Sequence, residues 1–143
     1  MSGPPVARKT RILVVEDNPA DVDLLQLALT EAGLDCELTV IDDGADALAF
    51  VRCNDGLADL PVLAILDLNL PKHSGIEVLE EMRAHRGFAD LPVIILSSSA
   101  SPLDREKSAR FGVRRYIVKP PDLEEFLRIG GQVKELLATI GTA

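Results

Sequence analysis

Four stretches of this chain are short, almost wholly apolar and stop abruptly at a polar or ionisable side chain: ILVV at 12–15, VLAIL at 62–66, VIIL at 93–96 and YIV at 116–118. Unbroken apolar runs like the first three fit strands buried on both faces, as in a parallel sheet, and the fourth reads as a further strand. CELTVI at 36–41 is a further strand candidate. Between the runs the apolar period changes to that of a helix. Val22, Leu25, Leu29 and Ala32 follow Asn18-Pro19, and Ala45, Leu48 and Ala49 follow Asp43-Gly44, the side chains expected to face inward. Ile76, Leu79 and Met82 follow Ser74, which with Glu77 reads as a capping box for a helix ending near Gly87. Ser101-Pro102 opens a helix that Gly112 closes, and Asp122 caps a last one carrying Phe126, Ile129, Val133, Leu136 and Ile140 on one face. Strand and helix alternating five times predict an α/β fold: a doubly wound parallel sheet whose right-handed crossovers put helices on both faces.

The 143 residues suit one domain, with 1–10 as a lead-in and 11–143 as the folded unit. A net charge of -8 and an aromatic content of 3% without Trp oppose nucleic-acid binding, since an acidic surface repels phosphates and stacking platforms are missing. No apolar run approaches the ~20 residues that cross a bilayer. The opening MSGPPVARKT lacks the apolar middle of a secretory signal, so a cytoplasmic protein without membrane contact is expected. Cys36 and Cys53 are read as structural thiols.

In open parallel sheets ligands bind beyond the carboxyl ends of the strands. Those ends carry Glu16 and Asp17, then Asp67, Ser97 and Lys119. Any one of them alone reads equally well as a solvated loop residue. Together they are a chemical set: converging carboxylates cannot all stay ionised without a cation. All-oxygen donors select a hard ion, and Mg²⁺ suits a site that keeps waters and shares a phosphate, with Mn²⁺ or Ca²⁺ as substitutes. Asp67 ends the middle apolar run and is the candidate nucleophile, for carboxylates form acyl phosphates when cations neutralise the phosphoryl oxygens. Lys119 and Ser97 would each meet one such oxygen. No GxxxxGK loop or Ser-His-Asp set competes, and His73 and His85 are read as solvated.

In order and spacing, ILVVEDN, AILDLNLP with Gly75 following, VIILSSSA and YIVKP resemble the receiver domain of two-component response regulators, from about Arg11 to Ile140. The resemblance implies a flavodoxin-like five-stranded sheet in the order 2-1-3-4-5 with five helices. It implies Asp67 as the phospho-acceptor, Asp17 as a direct Mg²⁺ ligand and Glu16 acting mainly through metal-bound water. Asn69 would offer its backbone carbonyl to the metal. Ser97 and Tyr116 match the switch pair, and the Lys119–Pro120 bond would be cis. The implied activity is phosphotransfer from a sensor histidine kinase to Asp67 and slow release of the phosphate, with no other enzymatic turnover.

Pro121, where an aromatic is frequent, and Gly130-Gly131 inside the last helix depart from the common pattern. A helix-interior Gly costs about 1 kcal/mol relative to Ala, so a close backbone approach or a bend is expected there. With three residues after Ile140, the expectation is a domain without an output module that acts by docking. The 54–60 loop, the DLNLP turn and the LSSS run are similar to the small stand-alone regulators of bacterial and cyanobacterial phytochrome kinases. A homodimer through helix 4, strand 5 and helix 5 is expected, because Leu123, Leu127 and Leu137 add apolar surface to the last helix. Three rivals share parts of this pattern. A haloacid-dehalogenase-type phosphatase expects D-x-D, where this chain has Asn69. A non-phosphorylated receiver-like adaptor lacks the acceptor or the acid pair, and a flavin module needs aromatic flanks.

Overall fold

The structure, a computed structural model, describes residues 10–54 and 60–140. Residues 1–9 of the expected 1–10 lead-in, the interior of the 54–60 loop and the last three residues lie outside the described residues, and Thr10 belongs to the first strand.

Five parallel strands form one sheet in the order β2-β1-β3-β4-β5. They are β1 (Thr10–Val15), β2 (Cys36–Ile41), β3 (Leu63–Leu66), β4 (Val93–Ser97) and β5 (Arg115–Val118). The helices between and after them are α1 (Pro19–Glu31), α2 (Gly44–Asn54), α3 (Gly75–Ala84), α4 (Pro102–Ala109), α5 (Leu123–Leu127) and α6 (Ile129–Thr139). The single last helix read from the sequence is divided into α5 and α6 at Arg128, just ahead of the glycine pair.

Strand alternation splits the core into two layers. Leu13, Val15, Ala64, Leu66, Val93 and Ile95 pack with α2 and α3 on one face. Ile12, Val14, Leu63, Ile65, Ile94 and Leu96 pack with α1, α5 and α6 on the other. The runs at 12–15, 63–66 and 93–96 are buried on both faces, whereas the fourth lies in the edge strand β5 and is half-buried along its length. α4 is different: Ser108 is its one buried residue, so little apolar area holds it down.

The glycines at 130 and 131 do different things. A Cβ on Gly130 would lie 2.0 Å from the Ala28 carbonyl oxygen, so α6 and α1 touch backbone to backbone there, whereas a Cβ on Gly131 meets nothing within 4 Å. Of the expected last-helix stripe, Phe126, Ile129, Val133 and Leu136 are buried and Ile140 is half-buried.

Several local expectations change. In α2 the inward residues are Gly44, Ala47, Leu48 and Val51, and Ala49 is exposed. The rotation is set at the helix start, where Gly44 N–H donates to Pro71 O at 3.0 Å and its α-carbon abuts the His73 carbonyl. α3 ends at Ala84, before the expected Gly87. There Arg83 donates to the carbonyls of Phe88, Ala89, Leu91 and Phe111, drawing the following segment into a turn. The capping box at Ser74 is half made: Ser74 Oγ accepts Glu77 N–H at 3.3 Å, while the Glu77 carboxylate pairs with His73 Nδ1. Leu137 belongs to the core and Leu127 is half-buried, which leaves Leu123 as the exposed leucine of the three expected to supplement the last helix.

Candidate functional site

Because the strands are parallel, their carboxyl ends lie on one edge of the sheet, and the backbone ladder runs on into the site. Glu16 N–H donates to Ile41 O, Asp67 N–H to Val15 O and Lys119 N–H to Ser97 O, at 2.9, 3.0 and 2.8 Å. Each residue that follows an apolar run is thus held by the neighbouring strand. The turn after β1 is fixed by Asn18, whose side chain accepts Ala20 N–H and whose own N–H donates to Glu16 Oε2. Pro19 then starts α1 at a position where a missing N–H costs nothing.

Carboxylate oxygens of Glu16, Asp17 and Asp67 lie within 4.8 Å of one another. Glu16 and Asp67 are 6% and 4% exposed, and Asp17 faces solvent. Lys119 Nζ sits among them, 2.6 Å from Glu16 Oε1 and 2.9 Å from Asp67 Oδ2. Its third partner, Asp21 Oδ2 at 2.8 Å, was not among the residues singled out in the sequence. The available signal was its place in the first turn of the helix that springs from the acidic turn.

Burial pushes the Glu16 carboxyl up to about 7, with the Asp67 charge adding to the rise and the Lys119 amine opposing it. Burial alone would lower the Lys119 ammonium, but its bonds to Asp21, Glu16 and Asp67 outweigh that and hold it above its ordinary value. Four carboxylates against one amine leave the site short of positive charge. Oxygen donors at this spacing fit a divalent cation, whose ligands stand about 2.0–2.6 Å from it.

Asp67 Oδ1 accepts the Asn69 N–H at 3.0 Å, which turns the chain sharply after β3. Asn69 itself is exposed. Ser97 is fully buried, and its Oγ accepts the Ser99 N–H. Ser99 in turn binds Asp104 through its hydroxyl and accepts the Tyr116 phenol on its carbonyl at 2.8 Å. Tyr116 therefore reaches the loop after β4 rather than standing free at the sheet edge, with the Arg105 guanidinium 4.7 Å over its ring. The expected cis bond at Lys119–Pro120 is not found: no described residue has a cis peptide. The amine reaches its three carboxylates across a trans bond, the isomer that X–Pro bonds prefer by about 0.5–1 kcal/mol.

Residues 12–129 match the model of the response regulator receiver domain. This chain belongs to that family. Response regulator Rcp1 of Synechocystis is 35% identical over 120 residues, spanning 82% of each chain. A probable methanogenesis regulatory protein, FilR2, of Methanothrix harundinacea is 34% identical over 87% of this chain and 81% of its own. Among solved structures, the phosphorylated cyanobacterial phytochrome response regulator RcpA superposes with a TM-score of 0.82 at 35% identity, covering 95% of this receiver domain and 97% of that chain. The Mn²⁺-bound form of Rcp1 superposes with a TM-score of 0.78 at 33% identity, over 88% and 92%. The receiver domain is therefore related to phytochrome response regulators, and its acidic cluster suits the divalent metal that such a domain uses. Among the described residues no helix is long and apolar enough to cross a membrane.

Proposed function

We propose that this receiver domain accepts a phosphoryl group on Asp67 from the phosphohistidine of a sensor histidine kinase, and that Mg²⁺ is its cation. The observation that carries the reading is the meeting of Asp67, the Glu16–Asp17 pair and Lys119 at the ends of three separate strands. Glu16, Asp17, Asp67 and the Asn69 backbone carbonyl would hold the cation. When bound it supplies charge neutralisation for the phosphoryl oxygens. Lys119 already contacts Asp67 Oδ2, so its amine is placed to meet an oxygen of a group added there. An Asp67 carboxylate oxygen attacks phosphorus as the P–N bond breaks, and the electron pair stays on the histidine nitrogen. Water later hydrolyses the acyl phosphate and restores the carboxylate. No turnover of other substrates is assigned.

Phosphorylation adds roughly -1.5 to -2 of charge. Ser97 then offers its hydroxyl to the new oxygens, and its hold on the Ser99 N–H changes. Ser99 is tied to both α4 and Tyr116, so the output surface is α4, β5 and α5. The weak anchoring of α4 favours a helix that shifts. A homodimer through this surface draws on Leu103 of α4 and Leu123 of α5, each more than half exposed. The relationship to the cyanobacterial phytochrome response regulator RcpA supports a phytochrome-type kinase as the phosphodonor.

The test is incubation with a small-molecule phosphodonor and Mg²⁺, read by intact mass. Wild type gains one phosphoryl group, and Asp67→Asn gains none. Equal labelling of the two would remove Asp67 from its role. A phosphorylated phytochrome kinase should then transfer to the wild type faster than unrelated kinases do. Sedimentation of the phosphorylated form as a monomer at tens of micromolar would exclude the dimer.

A further inference from the structure

An ammonium group has three protons to donate, and Lys119 gives each a carboxylate: Glu16, Asp21 and Asp67 at 2.6, 2.8 and 2.9 Å. These partners are not equivalent. Glu16 and Asp67 belong, with Asp17, to the oxygen cluster that could hold a cation, and Asp21 does not. A cation entering the cluster competes with the amine for the charge of Glu16 and Asp67, whose Oε1 and Oδ2 the amine already holds. The Lys119 side chain is only 14% exposed, so water does not readily replace what it loses. Asp21 approaches from α1 and is the one of the three partners that lies outside the cluster.

We infer that Asp21 is a positioning residue that draws the Lys119 amine off the ligand carboxylates when the divalent cation binds and holds it beside Asp67. The inference rests on the metal-site reading given above and adds a residue to it. Two effects follow from losing the Asp21 charge, and both have the same sign. The amine transfers its hold to Glu16 and Asp67, which the cation must then displace, and the site loses one negative charge that attracts the cation. Partners of metal ligands typically alter metal affinity by about 10–100-fold when removed. Asp21→Asn keeps the shape and a weak acceptor, so the lower end of that range applies.

The lysine distinguishes this role from a general charge effect. If Asp21 acts through Lys119, its removal must matter much less once the amine is gone. Calorimetric titration of MgCl₂ into wild type, Asp21→Asn, Lys119→Met and the double variant gives the comparison, and circular dichroism checks that each is folded. The expected result is about a 10-fold weaker Mg²⁺ affinity for Asp21→Asn in the wild-type background, and less than about 3-fold in the Lys119→Met background. Asp21→Ser serves as a second variant should Asn disturb the first turn of α1. Equal affinity in wild type and Asp21→Asn overturns the inference, and so does an equal loss in both backgrounds. Absence of Mg²⁺ binding by the wild type is a separate outcome: it removes the metal-site reading, and with it the inference.

Discussion

A methyl group on Gly75 would lie 2.2 Å from the backbone carbonyl oxygen of Asp67. Gly75 N–H also donates to Leu68 O at 2.9 Å, so the start of α3 is pressed directly against the end of β3. Gly75→Ala cannot fit without moving the Asp67 backbone. It should cost about 1–3 kcal/mol in chemical denaturation. Labelling of Asp67 by a small phosphodonor should slow by more than about 10-fold, because misplacement on the order of 1 Å costs about 100-fold. An unchanged labelling rate would mean that α3 does not set the position of Asp67.

The glycine pair in α6 offers two substitutions of opposite sign one residue apart. Gly130→Ala drives a methyl into the Ala28 carbonyl and should destabilise by about 1–3 kcal/mol. Gly131→Ala meets open space and should stabilise by up to about 1 kcal/mol. Denaturant midpoints of the two variants decide the matter, and shifts in the same direction would contradict the packing of α6 on α1.

Glu16 gives the metal-free protein a pH dependence. Its carboxyl is raised from 4.5 to about 7, so the folded state keeps a proton that the unfolded state has lost. Stability in chelator should therefore fall as pH rises from about 4.5 to 7, by up to about 3 kcal/mol. Asp43 and Glu81 are lowered instead, so their contribution is lost only as pH falls through their depressed values. Lys119 is raised, and its contribution is complete below its ordinary 10.5 and lost only at higher pH. The window from 4.5 to 7 thus belongs to Glu16 among these groups. Melting temperatures of wild type and Glu16→Gln across that window should diverge, with the variant giving the flatter curve.

Tyr116 ties β5 to the loop after β4 through its bond to the Ser99 carbonyl. Tyr116→Phe should lose about 1 kcal/mol and speed amide exchange in that loop and in α4. Arg105→Ala, which removes the guanidinium from the ring, should lose about 0.5–1 kcal/mol and produce the same exchange pattern more weakly. Exchange unchanged in α4 for both variants would disconnect the tyrosine from the helix.

The elements were legible because their signals are local. A run such as VIIL can be satisfied only where both faces are covered, and Asn18-Pro19 or Ser101-Pro102 caps a helix with its own atoms. Details set by contacts from elsewhere were not. The face of α2 depends on a close approach to His73, and the end of α3 depends on Arg83 reaching carbonyls up to Phe111. Neither partner can be read from the segment it alters.

Composition and periodicity by themselves determined an α/β sheet with Glu16, Asp17, Asp67, Ser97 and Lys119 at its strand ends, since parallel pairing brings any such set to one edge. The tertiary structure alone decided how those groups share their charges. Lys119 and Asp21 are 98 residues apart in the chain, and only the packing of α1 against the strand ends brings that carboxylate to 2.8 Å from the amine. Electrostatic and hydrogen-bond energies depend on such distances and on burial, and a linear order of residues specifies neither.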